Sequence, residues 1–175
     1  KIDLGKLAYE WKDAKAAGSD VASFLDDKIG SFANDGHVAY KPKDVVLYGF
    51  GRIGRLAARE LISQSAKGDQ LRLKAIVTRS NSELDIRKRA DLLRTDSVHG
   101  VFSGTVQVDV ENKALIINGH TVNMIAADNP SEIDYTIYGI SDALVIDNTG
   151  VWRDEDGLGL HLLSKGISKV MLTAP

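Results

Sequence analysis

The 175-residue chain is 43% apolar and 26% charged, with 16 Gly, 3 Pro and no Cys. This excludes a mainly disordered chain, a collagen-like repeat, a disulfide scaffold, and any thiolate metal site or cysteine nucleophile within these residues. A formal charge of −2 gives no global attraction for nucleic acid or an anionic membrane surface.

Leu4, Leu7, Ala8 and Trp11 share one helical face, and Gly18 followed by Ser19-Asp20 reads as a stop and a new N-cap. Val21, Phe24, Leu25 and Ile29 form a second apolar stripe ending at Gly30. Helices this short are marginal alone. Their apolar faces are therefore expected to pack on the domain that follows or on a neighbouring subunit, with a regulatory or targeting role as the alternative. Ser31–Lys43, with Gly36 and Pro42, reads as a linker. Residues 1–43 are thus expected to be an N-terminal helical extension ahead of a domain spanning 44–175. No apolar run approaches the length of a membrane span, and no signal peptide is expected. A chain that opens on Lys1 is expected to have a trimmed N-terminus, and the cytoplasm is the default location.

From Asp44 the pattern alternates. Val45–Tyr48 predicts a strand, and after a Gly-rich turn Ile53, Leu56, Ala57, Leu61 and Ile62 mark a helix ending before Gly68. Leu71–Val77 reads as a strand, and 83–94 as a charged helix carrying Leu84, Ile86, Ala90, Leu92 and Leu93. Strand and helix alternating at this spacing predict a parallel α/β sheet. Val106, Val108 and Val110 then alternate, Glu111-Asn112-Lys113 turns, and Asn118-Gly119 signals a hairpin before Thr121–Ile125. An antiparallel meander is therefore expected, inserted into or appended to the parallel frame. A strand at Ala143–Asp147, a helix near 154–165 and a strand at Lys169–Thr173 complete the pattern. The expected fold is a Rossmann-like, doubly wound, mostly parallel α/β sheet with an antiparallel β insertion.

Gly49-Phe50-Gly51-Arg52-Ile53-Gly54 is a G-x-G-x-x-G match that follows a strand and opens a helix, the context a dinucleotide site demands. The first glycine permits the tight turn, the second lets the backbone approach a pyrophosphate, and the third lets helix and strand pack closely. The helix start offers free N–H groups and a positive dipole end to phosphates. The alternative is a tight turn without ligand. Such sites usually place an acid at the end of the second strand to bind ribose hydroxyls. Here Val77-Thr78-Arg79-Ser80 stands there instead, with Glu83 the nearest acid. An Arg at that spot suits a 2′-phosphate, which it can grip with two N–H groups, so NADP or dual use is favoured over strict NAD. A solvated surface Arg79 is the alternative.

Four separated motifs resemble glyceraldehyde-3-phosphate dehydrogenase: Gly49–Arg55, Asp96-Ser97-Val98-His99-Gly100, Asp147-Asn148-Thr149-Gly150-Val151-Trp152 and Lys169–Pro175. They stand in that family's order and spacing over residues 44–175, and residues 1–43 resemble the additional N-terminal segment of a longer bacterial form. The resemblance implies a dinucleotide pyrophosphate on Gly49, Phe50 and Gly51, with backbone donors from Arg52 and Ile53. It implies Thr149 and Gly150 on the nicotinamide side and Thr173 near the nicotinamide. It also implies an enzyme that holds an aldehyde as a Cys thiohemiacetal, passes hydride to NAD or NADP, and releases the acyl group to phosphate with a His as base. The intact protein is expected to act on a small sugar phosphate in glycolysis or gluconeogenesis and to form a homo-oligomer. The catalytic domain with its Cys and His is expected beyond residue 175, so this chain alone is expected to be inactive.

Three positions depart from the family: Tyr48 where Asn is usual, Thr78-Arg79 where Asp is usual, and Asp128 where a basic residue commonly meets the adenine. All lie on the adenosine half of the site. A sister enzyme acting on erythrose 4-phosphate and a nucleotide-sensing module without chemistry are the other readings, and DNA binding has the least support. His37, His99, His120 and His161 lack metal-ligand spacing. His99 is read as a loop hydrogen-bonding residue, and neither His120 nor His161 has a visible nucleophile partner. Asp154, Glu155 and Asp156 read as a helix start, and Trp152 as a packing aromatic or a cover for a cofactor face.

Overall fold

The computed structural model describes residues 4–34, 42–64 and 71–173, with the side chains of 31–34 excluded. The chain divides into two units, Lys1–Lys41 and Pro42–Pro175. In the first, α1 (Leu4–Ala16) and α2 (Val21–Asn34) form a helical hairpin. Asp20 caps α2 by accepting from the Ala22 N–H at 2.8 Å and the Ser23 N–H at 3.2 Å. The Trp11 and Phe24 rings pack 5.3 Å apart, and Lys28 pairs with Glu10 at 3.2 Å. Helix α2 runs through Gly30, where the sequence predicted its end, because a helical glycine costs about 1 kcal/mol and does not forbid continuation. The expected linker over 31–43 is therefore helical as far as Asn34, and its residues 35–41 lie outside the described residues. Among the described residues no helix is long and apolar enough to cross a membrane.

The second unit runs β1 (Lys43–Tyr48), α3 (Arg52–Gln64), β2 (Leu71–Thr78), α4 (Glu83–Arg94), then a two-strand ribbon of β3 (Thr95–Asp96) and β4 (Gly100–Val101). It continues through β5 (Val106–Asp109), β6 (Ala114–Ile117), β7 (His120–Ala126), two short 3-10 turns, β8 (Ala143–Asp147), α5 (Glu155–Leu162) and β9 (Ile167–Leu172). Seven strands form one sheet in the order β5-β6-β7-β2-β1-β8-β9. β2, β1, β8 and β9 run parallel, β7 pairs parallel to β2, and β5 and β6 pair antiparallel. The meander is thus appended to the same sheet, with β7 as its joint. This is the α/β Rossmann-like architecture expected from the sequence.

Strand β1 is buried on both faces, which explains its continuous apolar run. Val45 and Leu47 face α3 and α4, where Ala58, Leu61, Ile86, Ala90 and Leu93 meet them. Val46 and Tyr48 face a second core with Tyr135, Ile140, Ala143 and Val145. The 3-10 turns at Pro130–Glu132 and Tyr135–Tyr138 close that second face. Helix α5 starts where three acids predicted it, with Asp154 as N-cap accepting from the Gly157 N–H at 2.7 Å. It is shorter than expected, because its C-cap comes at Leu163 and the chain turns into β9 from Ile167.

Candidate functional site

Four strands end level with one another. Tyr48 is opposite both Val77 and Asp147, and Thr78 is opposite Ala126. Backbone bonds carry the ladder to the rim: Gly49 N–H donates to the Val77 carbonyl at 2.9 Å, Ala127 N–H to Thr78 at 3.0 Å, and Asn148 N–H to Tyr48 at 2.8 Å. From β1 the chain proceeds to β2 and β7 on one side and later to β8 and β9 on the other. The order reverses between β1 and β8, and open α/β sheets bind ligands outside such a reversal. A cleft of about 320 Å³ lies there, across the carboxyl ends of the strands.

The Gly-rich turn forms its floor. Gly49 adopts φ 90°, a left-handed conformation that side chains resist, and a Cβ there would meet Thr149 Cγ2 at 2.8 Å. A Cβ on Gly54 would overlap the Gly49 carbonyl oxygen, so that position keeps α3 close to the turn. At Gly51 the opposite holds: a Cβ would meet nothing within 4 Å, and the backbone lies open to the cleft. The first helical bond is donated by Arg55 N–H to the Gly51 carbonyl at 3.0 Å. The amides of Arg52 and Ile53 ahead of it have no acceptor within the helix, and Ile53 is exposed. The geometry therefore offers orphan N–H donors, a positive helix end and room for a group to touch backbone.

Of the residues singled out in the sequence, Gly49, Phe50, Gly51, Thr78, Arg79 and Thr149 all line this cleft. Arg52 and Ile53 sit on the first turn of α3, beside the lining residues. Gly150 follows Thr149 with φ 69° and is not itself part of the wall. Thr173 also lies outside the wall, yet its Oγ1 is 2.8 Å from Asn148 Oδ1 and its N–H donates to the Asp147 carbonyl at 3.0 Å. It is thereby tied to the loop that carries Thr149.

The wall also holds Tyr48 and Asp128, noted in the sequence as departures, Trp152, read there as a packing aromatic or a cofactor cover, and Arg89 from α4, which was not singled out. Nothing in the one-dimensional pattern separates Arg89 from the other basic residues of a charged helix. Burial pushes the Tyr48 phenol up to about 12, reinforced by the charges of Asp147 and Asp128, so it stays neutral at physiological pH.

Behind the wall lies a buried pair that sequence reasoning missed. His161 and Asp147 are each fully enclosed, with Nε2 of one 2.9 Å from Oδ2 of the other. The other carboxylate oxygen accepts from the Thr149 N–H and hydroxyl, each at 2.7 Å. Burial acts to raise the Asp147 pKa, but the hydrogen bonds from His161 and Thr149 outweigh it and hold the carboxyl below its usual value. The His161 ring also stands edge-on to Tyr48, 4.7 Å between centroids. The pairing joins residues fourteen positions apart on different elements, a separation no local spacing rule reveals.

The Asp96–Gly100 motif lies away from the cleft and fastens α3 to the ribbon after α4. Asp96 accepts from Arg55 Nη2 at 2.9 Å and from the Val98 and His99 N–H groups at 3.0 Å each, and His99 Nδ1 lies 3.1 Å away. The Arg55 guanidinium and these donors hold the Asp96 carboxyl far below the usual carboxylate range. Arg59 Nη2 donates to the carbonyls of Leu93 at 2.7 Å and Gly100 at 3.0 Å.

The model of the glyceraldehyde 3-phosphate dehydrogenase NAD binding domain matches residues 43–155. A glyceraldehyde-3-phosphate dehydrogenase-like protein of Pseudomonas aeruginosa (strain UCBPP-PA14) is 50% identical over 175 residues, covering 99% of this chain and 38% of that protein. Glyceraldehyde-3-phosphate dehydrogenase of Thermotoga maritima is 37% identical over 131 residues, and that of Streptococcus pyogenes 35% over 131, each covering 75% of this chain. These two alignments take in 36% and 35% of the respective relatives, so the chain spans little more than a third of the proteins it matches. The Pseudomonas match takes in the segment ahead of residue 43, which the family model does not.

Proposed function

Because the chain belongs to the glyceraldehyde-3-phosphate dehydrogenase family, matched through its NAD-binding domain, we propose that residues 44–175 are the dinucleotide-binding half of a phosphorylating aldehyde dehydrogenase, with residues 1–43 as an N-terminal extension. The observation that carries this is the open backbone at Gly51, set between the cleft and the orphan amides at the start of α3. That cradle fits a pyrophosphate, since two phosphates need backbone donors and cannot approach past a side chain. Gly49, Phe50 and Gly51 then line the phosphates, with Arg52 and Ile53 donating N–H groups. Thr78 and Arg79 meet the adenosine ribose, and Thr149 and Gly150, braced by Thr173, meet the nicotinamide side. Bound NAD(P) supplies a hydride acceptor.

In the whole protein the substrate would be a small sugar-phosphate aldehyde held as a thiohemiacetal, with phosphate as the acyl acceptor. The thiol is not supplied here, since this chain has no Cys. Arg79, standing where an acid would bind ribose hydroxyls, supports NADP or dual use. The test is calorimetric titration of the protein with NAD+ and NADP+. Binding of at least one is expected, and absence of both at millimolar concentration overturns the reading. An Arg79→Ala variant that leaves the ratio of the two affinities unchanged removes the argument from that residue.

A further inference from the structure

The basic residues of α4 are not equivalent. Arg87 pairs with Glu83 at 2.8 Å, and Arg94 pairs with Asp91 at 2.6 Å while donating to the Val106 carbonyl. Helical spacing offers Arg89 an acid as well, Asp85, four residues back. That carboxylate is already engaged: its Oδ2 accepts from the Ser80 hydroxyl at 2.6 Å and the Ser82 hydroxyl at 2.7 Å. Among the described residues Arg89 forms no ion pair, and its Nε is buried without a hydrogen-bond partner. Arg89 lines the cleft together with Thr78 and Arg79, and among the described residues Arg79 likewise forms no ion pair. Asp85 stays within electrostatic reach of Arg89 without forming an ion pair with it, and a half-buried guanidinium that lacks a direct partner is costly unless an anion meets it. The neighbouring Thr78 hydroxyl donates to the Ser80 carbonyl at 2.8 Å, and the residues that end this strand, Val77-Thr78-Arg79-Ser80, include no acid to accept from ribose hydroxyls. Asp128 is the one acid in the wall, so two cations face one anion there.

Resting on the dinucleotide reading above, we propose that Arg89 and Arg79 form a subsite for the ribose 2′-phosphate of NADP, and that Arg89 is the residue separating NADP from NAD. Arg89 presents its planar fork from the helix side, and Arg79 closes over the phosphate from the strand end. Two guanidinium groups match the oxygens of a phosphomonoester, whereas a free ribose hydroxyl gains little from either.

The protein is titrated calorimetrically with NADP+, NAD+, adenosine 2′,5′-bisphosphate and ADP. The bisphosphate is expected to bind more tightly than ADP in the unaltered protein. Arg89→Gln is expected to weaken NADP+ and the bisphosphate on the order of tenfold to hundredfold, while NAD+ changes by less than about twofold. Arg89→Lys, which keeps the charge and loses the fork, is expected to fall between. Asp128→Asn is expected to tighten NADP+ by removing a like charge from the phosphate's surroundings. If ADP binds the unaltered protein as well as the bisphosphate does, the subsite is overturned without recourse to any variant, and the dinucleotide reading stands. Equal losses of NAD+ and NADP+ in Arg89→Gln overturn the selectivity role. Failure of all four ligands overturns the dinucleotide reading and the subsite with it.

Discussion

His161 and Asp147, both fully buried, meet at 2.9 Å and join α5 to the end of β8 directly behind Thr149. Removing one partner of such a pair strands a buried charge. His161→Leu is expected to cost about 3–5 kcal/mol, read as a shift in the urea unfolding midpoint. His161→Gln, which retains a donor for Asp147, is expected to cost less.

Among the carboxylates held below their usual pKa, Asp96 and Asp147 are the two that are buried, and they weigh on the acid limit of the fold. Asp96 is lowered by Arg55 and by N–H donors, and Asp147 is held low by His161 and Thr149 against its burial. A folded-state pKa below the unfolded value contributes stability that is complete above the unfolded pKa, about 3.9 for Asp. That stability is lost as pH falls through the folded values. Melting temperature is therefore expected to be flat near neutrality and to fall below about pH 4. In Asp96→Asn the curve should start lower at pH 7 and decline less steeply toward acid.

The Gly-rich turn separates packing from binding. Gly54→Ala forces a methyl into the Gly49 carbonyl, and overpacking of this kind costs about 1–3 kcal/mol. Gly51→Ala meets open space and should leave the melting temperature nearly unchanged while weakening dinucleotide binding. Thermal melts and calorimetry on the two variants are expected to give opposite rankings.

Arg59 holds the Leu93 and Gly100 carbonyls and lies over the Phe102 ring, 5.8 Å from its centroid. Arg59→Ala is expected to cost about 1.5–3 kcal/mol, the range for hydrogen bonds that involve a charged group. Amide hydrogen exchange should accelerate first around β3 and β4, with β1 and β2 protected as before.

The parallel frame was legible because its strands are apolar runs and its helices carry 3.6-residue stripes; α4 and β8 fall where their patterns end. The turn Gly49–Gly54 was legible because three glycines at fixed offsets answer three separate steric demands, two of which appear as Cβ overlaps at Gly49 and Gly54. The ribbon at Thr95–Val101 and the 3-10 turns were not, since two to four residues carry no period. Nor was the engagement of Arg89 and His161. Each depends on which partner is taken or supplied in the folded chain: the Ser80 and Ser82 hydroxyls at the start of α4 occupy Asp85, and Asp147 reaches His161 across two elements. The sequence lists charges without saying which are already spoken for.

Strand β7 belongs to two ladders, antiparallel to β6 on one edge and parallel to β2 on the other, and leads straight into Ala127 and Asp128 of the cleft. The meander is therefore a ruler for one wall of a site it never touches. A one-residue slip at Asn118-Gly119 would turn Val122 and Met124 out of the core, so their burial locks the register. Side-chain changes on the outer face of β5 and β6 leave that lock intact. Loop-length changes between β6 and β7 move Asp128 relative to Arg79, and drift in such a remote hairpin would be felt as altered cofactor choice before it was felt as lost folding.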